Sequence, residues 1–160
     1  MIKVGDKLPQ ATFTVMGGSG PEPKTTDDVF AGRKVALFAV PGAFTPTCHA
    51  NHLPGFLANG DALKEKGVDA IVCVSVNDVF VMDAWAKATA SAGEIEFLAD
   101  GSADFAKAIG LELDGTARGM GIRSQRYAML VDDGIVKVLN VEDVPGKAEI
   151  SGAEALLAAM

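Results

Sequence analysis

The chain has 160 residues, enough for one domain with a sizeable core, and we expect residues 1–160 to form a single domain. The net charge of −7 argues against nucleic acid or an anionic membrane surface as a partner. No apolar run approaches ~18 residues, so no transmembrane helix is expected. The start of the chain has no apolar stretch of the signal-peptide type, and only two cysteines occur. We therefore expect a cytoplasmic protein that works in a reducing compartment.

Alternating β-branched runs and helical patterns predict an α/β protein with a mixed sheet covered by helices. Residues 1–32 are rich in turns and are expected to form N-terminal edge strands, with a loop near Gly17–Gly20. A break near His52 is expected in the first long helix because Pro54 cannot donate a backbone hydrogen bond. In chain order, we predict strand 34–40, helix 46–66, strand 68–76, helix 79–89, strand 95–98, helix 103–109, strands 126–131 and 135–141 around a tight turn, and helix 153–159.

Cys48 is the first candidate for chemistry because it follows a helix-start signal. Thr45 is a favoured N-cap and Pro46 is favoured at the first helical position. Cys48 would then lie in the first helical turn, where free backbone N–H groups and the helix dipole favour a negatively charged sulfur. The alternative is a small hydrophobic core residue, the usual role of a free cysteine. The surrounding Pro, Gly and Thr residues are poor core material, which favours a reactive thiol.

Cys73 is the second cysteine and lies in the middle of an apolar strand. A thiol among apolar neighbours stays protonated and inert, so a structural role is favoured. The chain has no Cys-x-x-Cys motif, which excludes a dithiol exchange centre of that type.

His49 and His52 follow Cys48 at one and four positions. A Cys48–His52 pair would suit a cysteine hydrolase, but no third group that would orient the base can be identified. A metal site is disfavoured because no further cluster of cysteines and histidines completes a ligand set. We therefore expect solvated or partly packed histidines, and no metal or cofactor.

Three arginines, Arg118, Arg123 and Arg126, lie close together in a Gly-rich stretch. Two of them are expected to be solvated surface charges. Arg126 differs because it stands at the start of an apolar strand, where its stem can be buried and its guanidinium held in a fixed direction.

These residues together resemble the peroxiredoxins, and specifically the type II, glutaredoxin-linked, peroxiredoxin-V-like branch. The resemblance rests first on Pro41-x-x-x-Thr45-x-x-Cys48, continued by His52-Leu53-Pro54-Gly55-Phe56. Two further stretches agree, one from Ser75 to Trp85 and one that begins Arg126-Tyr127-Ala128-Met129. The three motifs occur in the right order and cover nearly the whole chain.

The resemblance implies a thioredoxin-like fold, a homodimer and the reduction of hydrogen peroxide and organic hydroperoxides. Cys48 matches the peroxidatic cysteine, whose thiolate becomes a sulfenic acid. Thr45 matches the hydroxyl that contacts the thiolate and the peroxide. Pro41 matches the proline that shields the pocket from water, and Arg126 matches the arginine that holds the thiolate and the peroxide. The backbone N–H groups of Thr47 and Cys48 are candidate peroxide ligands.

The chain departs from the branch in three ways. Several members have Gly before the peroxidatic cysteine and Ser after it, where this chain has Thr47 and His49. Some relatives carry a resolving cysteine near the C-terminus, whereas no cysteine follows Cys73 here.

A sulfenic acid must meet a thiol to become a disulfide. The sequence therefore predicts a one-cysteine cycle in which glutathione with glutaredoxin, or thioredoxin, regenerates Cys48. A redox sensor that uses the same cysteine is the non-enzymatic alternative.

Overall fold

The computed structural model describes all residues 1–160 and contains nine strands and six short α-helices. The strands are β1 (Thr12–Gly17), β2 (Gly20–Thr25), β3 (Lys34–Val40), β4 (Ala70–Ser75), β5 (Glu96–Ala99), β6 (Glu112–Asp114), β7 (Ile122–Ser124), β8 (Tyr127–Asp132) and β9 (Ile135–Val141). The helices are α1 (Thr26–Phe30), α2 (Leu53–Ala58), α3 (Gly60–Glu65), α4 (Val79–Ala88), α5 (Asp104–Ala108) and α6 (Ala153–Ala159). A five-residue π-helical turn, Cys48–His52, precedes α2.

Seven strands form one mixed sheet in the order β2-β1-β5-β4-β3-β8-β9. Strand β4 pairs in parallel with β3 and β5, whereas β3 pairs antiparallel with β8. The predicted edge hairpin is β1–β2, and the two short strands β6 and β7 form a separate ribbon. The sheet is thus mixed and flanked by helices, as the sequence predicts.

Strand β3 is apolar along its length because both of its faces are covered. Val35, Leu37 and Ala39 pack in one core cluster, which α1 and α5 cover. The alternate residues Ala36, Phe38 and Val40 pack in a second cluster on the opposite face, together with residues of α2, α3, α4 and α6. A strand buried on both faces reads as a continuous hydrophobic run instead of an alternating one. The core therefore holds the end of β3 rigidly, at the point where the Cys48 segment begins.

Two local sequence signals fix the ends of elements. Asp78, a residue type favoured at helix N-caps, caps α4, since its side chain accepts a 2.9 Å hydrogen bond from the Val81 amide. Asp133 and Gly134 both have positive φ, at 49° and 80°, and form the tight turn between β8 and β9.

None of the helices has the length and apolar character needed to cross a membrane.

The region around Pro54 differs from a simple kink. Pro54 cannot donate to the Ala50 carbonyl, and the chain adapts by widening the preceding turn, so that the Leu53 amide donates to the Cys48 carbonyl. The expected distortion near His52 is present, and its form is a π-helical turn. Ser151 is of a type that favours helix N-caps and is expected to cap α6, but Gly152 occupies the N-cap position and makes no side-chain bond. The Ser151 hydroxyl instead donates to Glu142.

Candidate active site

The Cys48 segment begins where two parallel strands end. Strand β3 stops at Val40 and continues into Pro41, and the neighbouring strand β4 stops at Ser75. Asn77, just beyond β4, accepts hydrogen bonds through its side-chain oxygen from the Ala43 amide at 3.0 Å and the Ser75 hydroxyl at 2.6 Å. The carboxyl ends of parallel strands are a common position for functional sites in α/β proteins. Asn77 therefore fixes the active-site turn to the sheet.

Cys48 lies in the first turn of the helical segment that starts at Pro46, as predicted. Its side chain is fully buried and the thiol is free. The backbone amides of Thr47 and Cys48 donate to no protein acceptor. Unsatisfied N–H groups at a helix start attract anions and polar oxygen atoms. The sulfur thus lies beside two unused donors.

The side chain of Arg126 contacts the Cys48 sulfur directly. Its Nη2 atom donates to Cys48 Sγ at 2.9 Å, and its Nε atom donates to the Pro145 carbonyl at 2.9 Å. Arg126 is only 2% exposed. It precedes β8, whose first residue, Tyr127, pairs with Ala39 near the end of β3. The antiparallel register of β3 and β8 therefore brings Arg126 and Cys48 together, although 78 residues separate them.

His52 holds the other side of the Arg126 guanidinium. Its Nδ1 atom lies 3.0 Å from Arg126 Nη1, and its Nε2 atom lies 2.8 Å from the Ser151 carbonyl. An arginine can only donate and a carbonyl can only accept, so His52 is neutral with its proton on Nε2. Burial, with the nearby Arg126 charge as a smaller cause, lowers the pKa of His52 to about 4.

This arrangement corrects the expectation of solvated or partly packed histidines for His52, and it bears on the two disfavoured alternatives. His52 is 1% exposed and takes part in the site, so it is neither solvated nor merely packed. Both ring nitrogens are already engaged, and neither is bonded to Cys48. The geometry therefore contradicts a cysteine hydrolase with His52 as the base for Cys48. It also leaves His52 no free lone pair for a metal ion.

The loop between β9 and α6 closes the site from one side. Three of its carbonyls accept hydrogen bonds from site residues: Pro145 from Arg126, Ser151 from His52, and Gly146 from the Thr47 hydroxyl at 2.7 Å. Glu142 braces this loop.

The Glu142 carboxylate accepts hydrogen bonds from the amides of Glu149 and Ser151 and from the Ser151 hydroxyl, at 2.6–3.1 Å. Burial opposes ionisation of Glu142, but these bonds outweigh it and lower the pKa of the carboxyl. A charged Glu142 thus fixes Ser151, which in turn fixes His52.

Thr45 and Pro41 also lie at the site. Pro41 is buried and Thr45 is half-buried, and both line a cleft in front of Arg126. The Thr45 hydroxyl donates to the Gly42 carbonyl at 2.7 Å. Its hydrogen is therefore directed away from the sulfur. The hydroxyl accepts from no helix amide, so the predicted side-chain cap at Thr45 is wrong. Two acceptor lone pairs on the hydroxyl stay available to a donor in the cleft.

His49, the residue after Cys48, belongs to an aromatic cluster outside the sulfur pocket. Its Nδ1 atom accepts a 3.1 Å hydrogen bond from Trp85 Nε1. The exposed ring of Phe44 stacks on His49, with ring centroids 5.9 Å apart. Phe44 itself has φ of 64°, a left-handed conformation that is costly for a residue with a side chain. This cluster joins the active-site turn to α4.

Cys73 is completely buried in β4. Burial raises the pKa of the Cys73 thiol well above its ordinary value, and the nearby Cys48 adds to this effect. The inert, structural environment predicted for Cys73 is therefore confirmed.

The arginine predictions are confirmed in part. Arg126 is buried at the sulfur and Arg118 is exposed, as expected. Arg123, expected to be solvated, is half-buried and donates to the carbonyls of Met120 and Val76. A cleft of about 450 Å³ lies beside the Cys48 segment, although the fully buried sulfur does not line it. It is lined by Pro41, Thr45, Pro46, Thr47, Leu113, Asp114, Gly115, Ala117, Arg118, Met120, Arg123, Arg126, Pro145 and Gly146.

Sequence reasoning missed three residues that brace the site. His52 contacts the Arg126 guanidinium, Ser151 bonds to His52, and Glu142 bonds to Ser151. The only local signal was the spacing of four between Cys48 and His52. Glu142 and Ser151 lie far from Cys48 in sequence, and no spacing rule links them to it.

Comparison with known proteins agrees with this geometry. The family model described as Redoxin matches residues 3–157. Peroxiredoxin-2C of Oryza sativa subsp. japonica is 48% identical, over 99% of this chain and 98% of its own length. Peroxiredoxin-2E, chloroplastic, of Arabidopsis thaliana is also 48% identical, over 99% of this chain and 69% of its own length.

Among solved structures, reduced Prx3 from Vibrio vulnificus in complex with H2O2 is 54% identical, with a TM-score of 0.93 and 99% coverage of both chains. Peroxiredoxin 5 from Alvinella pompejana is 39% identical, with a TM-score of 0.87. These matches confirm the thioredoxin-like fold and thiol peroxidase activity. With a family match over nearly the whole chain and relatives close to half identical, this chain belongs to the redoxin family as a type II peroxiredoxin.

Proposed function

We propose that this thiol peroxidase works with a single redox-active cysteine, Cys48, and that an external thiol resets it. The observation that carries the proposal is the 2.9 Å contact between Arg126 Nη2 and Cys48 Sγ, because it places a fixed cation on one sulfur only. Cys73 is buried in a strand and its thiol is held protonated. A protonated thiol is a poor nucleophile toward a sulfenic acid.

In the first step the Cys48 thiolate attacks one peroxide oxygen. The O–O bond breaks, the sulfur becomes a sulfenic acid, and the other oxygen leaves as an alcohol or water after taking up a proton. The leaving oxygen develops negative charge, and fixed donors that face it lower the barrier. Three of the five Arg126 N–H groups bond to Pro145, His52 and Cys48. Two remain for the peroxide.

The other residues have separate roles in this proposal. The free amides of Thr47 and Cys48 donate to the peroxide, and the Thr45 hydroxyl accepts from its O–H. Pro41 covers the pocket and excludes water. His52 does not touch the reacting atoms, so it is a positioning residue that keeps the guanidinium aimed at the sulfur. The cycle uses no prosthetic group.

Regeneration needs a thiol from outside the chain. The sulfenic acid condenses with glutathione to give a Cys48 mixed disulfide and water, and glutaredoxin, or thioredoxin, then reduces the disulfide. The test is intact mass spectrometry after one equivalent of hydrogen peroxide, with and without glutathione. We expect one oxygen added without glutathione and one glutathione adduct on Cys48 with it. A Cys48–Cys73 disulfide as the main product would contradict the one-cysteine cycle.

A coupled peroxidase assay identifies the reductant. Steady-state consumption of hydrogen peroxide is measured in parallel with glutathione and glutaredoxin and with thioredoxin and its reductase. We expect turnover to require the added thiol system in each case.

We also propose that the protein forms a homodimer whose subunits pack beside the active site, and that it works in the cytoplasm. Phe44 and Phe80 are 47% and 63% exposed, and they lie on the active-site turn and the first turn of α4. Exposed aromatic side chains of this size favour a protein contact. Two free thiols suit a reducing compartment. Sedimentation of the wild type and of Phe80→Lys tests the dimer, which the charged side chain should weaken.

A further inference from the structure

The cleft beside the Cys48 segment concentrates positive charge in an acidic protein. The chain has a net charge of −7 and only four arginines, and three of them, Arg118, Arg123 and Arg126, line this one cleft. Asp114 is the single acidic residue in the lining, so the formal charge of the lining is +2. The peroxidase reaction uses Arg126, which contacts Cys48, so Arg118 and Arg123 are additional positive charges beside the site. The cleft therefore suits an additional, anionic molecule.

The three arginines differ in how far the protein already uses them. Arg126 donates to Cys48, His52 and Pro145, and Arg123 donates to two backbone carbonyls. The Arg118 side chain is exposed and forms no hydrogen bond or ion pair within the chain. A free guanidinium on the wall of a cleft is suited to bind a carboxylate through two parallel hydrogen bonds.

Asp114 gives the cleft a second recognition group of opposite sign. Its carboxylate is exposed and accepts a hydrogen bond from the Thr116 amide at 2.9 Å. Hydrogen bonds from the Thr116 side chain and amide lower the pKa of Asp114, so the carboxylate stays charged. A ligand that carries both carboxylate and ammonium groups can therefore bind Arg118 and Asp114 together.

The charged groups of the lining decide between two kinds of anion. A fatty-acid hydroperoxide has a carboxylate for Arg118 but no ammonium group, so it would leave the Asp114 carboxylate without an ionic partner. A small peptide thiol of the glutathione type carries both groups. A volume of about 450 Å³ falls in the usual range for a small-molecule cleft.

From these observations we infer that the cleft is a binding site for a carboxylate-bearing peptide thiol of the glutathione type, with Arg118 as its carboxylate ligand and Asp114 as its ammonium ligand. This inference rests on the proposed one-cysteine cycle. The bound thiol sulfur attacks the Cys48 sulfenic acid. A sulfur–sulfur bond forms, the sulfur–oxygen bond breaks, and the thiol proton leaves with the hydroxyl group as water.

The test measures the addition of thiols to oxidised protein. Cys48 is first oxidised with one equivalent of hydrogen peroxide, and the rate constant of mixed-disulfide formation is then followed by quenching and intact mass. Glutathione is compared with 2-mercaptoethanol, which has no charged group. Lys107→Gln and Lys107→Glu are matched controls, because Lys107 is an exposed cation on α5 outside the cleft.

We expect Arg118→Gln to slow glutathione addition about tenfold, the loss of one charge-assisted carboxylate contact, and Arg118→Glu to slow it further. Asp114→Asn should slow it severalfold. Addition of 2-mercaptoethanol should stay within about twofold of the wild-type rate, as should glutathione addition to the Lys107 variants. Higher salt should slow glutathione but not 2-mercaptoethanol.

Two outcomes would overturn the assignment. The first is an equal effect of Arg118→Gln on both thiols, or no effect on either. The second is that an Arg118 variant reacts more slowly with linoleic acid hydroperoxide but not with tert-butyl hydroperoxide, while its rate of glutathione addition is unchanged. The carboxylate that binds Arg118 would then belong to the oxidant. Failure of the proposed cycle itself looks different, because the sulfenic acid would then form a Cys48–Cys73 disulfide and neither thiol would add.

Discussion

The Thr47 hydroxyl donates a 2.7 Å hydrogen bond to the carbonyl of Gly146, 99 residues further along the chain. This bond ties the turn that holds the nucleophile to the loop between β9 and α6. Cys48 has no exposed surface, so a thiol reaches its sulfur only when this turn moves. A glycine at position 47 would have no side chain to form such a bond.

We therefore predict that Thr47→Val loosens the site without removing its chemistry. The loss of one neutral hydrogen bond should lower the free energy of unfolding by about 1 kcal/mol. It should raise the rate of thiol addition to oxidised Cys48 by up to about fivefold, the factor that corresponds to that energy. Oxidation by hydrogen peroxide should change by less than about twofold. Stopped-flow kinetics and urea unfolding measure these quantities.

Thr47→Ser is the control for this prediction, because it keeps the hydroxyl. It should behave like the wild type in both kinetic steps. If thiol addition were equally fast in the wild type and in Thr47→Val, the hydrogen bond to Gly146 would not limit access to the sulfur.

Acid sensitivity should come largely from His52. Its pKa is about 4 in the folded protein and about 6.5 in an unfolded chain. Between these values the unfolded chain binds a proton that the folded protein does not, so the free energy of unfolding falls as pH falls from about 6.5 to 4. The full loss is on the order of 3 kcal/mol.

His52→Gln should remove most of this slope, because its amide does not titrate. Urea unfolding of both proteins at several pH values measures the difference. The variant should also oxidise more slowly, by about tenfold or more, because Arg126 loses a neutral partner that positions it. Parallel stability curves for the two proteins between pH 4 and 6.5 would show that His52 does not cause the acid sensitivity.

Arg126→Gln should lower the rate of oxidation by hydrogen peroxide by about a hundredfold or more. The substitution removes the fixed cation that contacts the Cys48 sulfur and stabilises the negative charge on the leaving oxygen. Arg123→Gln should change this rate far less. Arg123 holds the carbonyls of Met120 and Val76 and does not reach the sulfur, so its loss should appear as reduced stability. Equal losses of rate in the two variants would mean that Arg126 has no special role.

Cys73→Ser should keep turnover with glutathione and glutaredoxin within about twofold. The variant should be less stable by about 1–3 kcal/mol, because a hydroxyl replaces a thiol in a dry strand. Steady-state assays and thermal unfolding test both parts, with Cys48→Ser as the inactive reference. A folded Cys73→Ser protein that no longer turns over would identify Cys73 as a resolving cysteine.

The helix start at Thr45-Pro46 and the strand that precedes it could be predicted because both depend on neighbouring residues. The preference of proline for the first helical position acts over a few residues and places Cys48 correctly, although the Thr45 hydroxyl does not cap the helix. The role of Arg126 came from family resemblance, since a pairing over 78 residues leaves no periodic pattern. The five-residue helix α1 and the three-residue strands β6 and β7 are too short for a hydrophobic period.

The bracing of Arg126 by His52 could not be predicted for a different reason. A histidine is ordinarily a surface or partly packed residue, and only the tertiary fold supplies the Ser151 carbonyl and the guanidinium that let it be buried. The Thr45 hydroxyl shows the same limit. Its type and position suit a helix cap, but the left-handed turn at Phe44 brings the Gly42 carbonyl within reach, and the hydroxyl bonds there.

The π-helical turn after Cys48 offers a direct spectroscopic view of the nucleophile. The backbone amide of Leu53 donates to the carbonyl of Cys48 itself, because Pro54 has no amide proton to offer. The exchange of this one amide proton with deuterium therefore reports how often the backbone around the reactive sulfur opens. A single resonance of Leu53, followed through the reduced, sulfenic and mixed-disulfide states, would measure the opening of the site at each stage of the cycle.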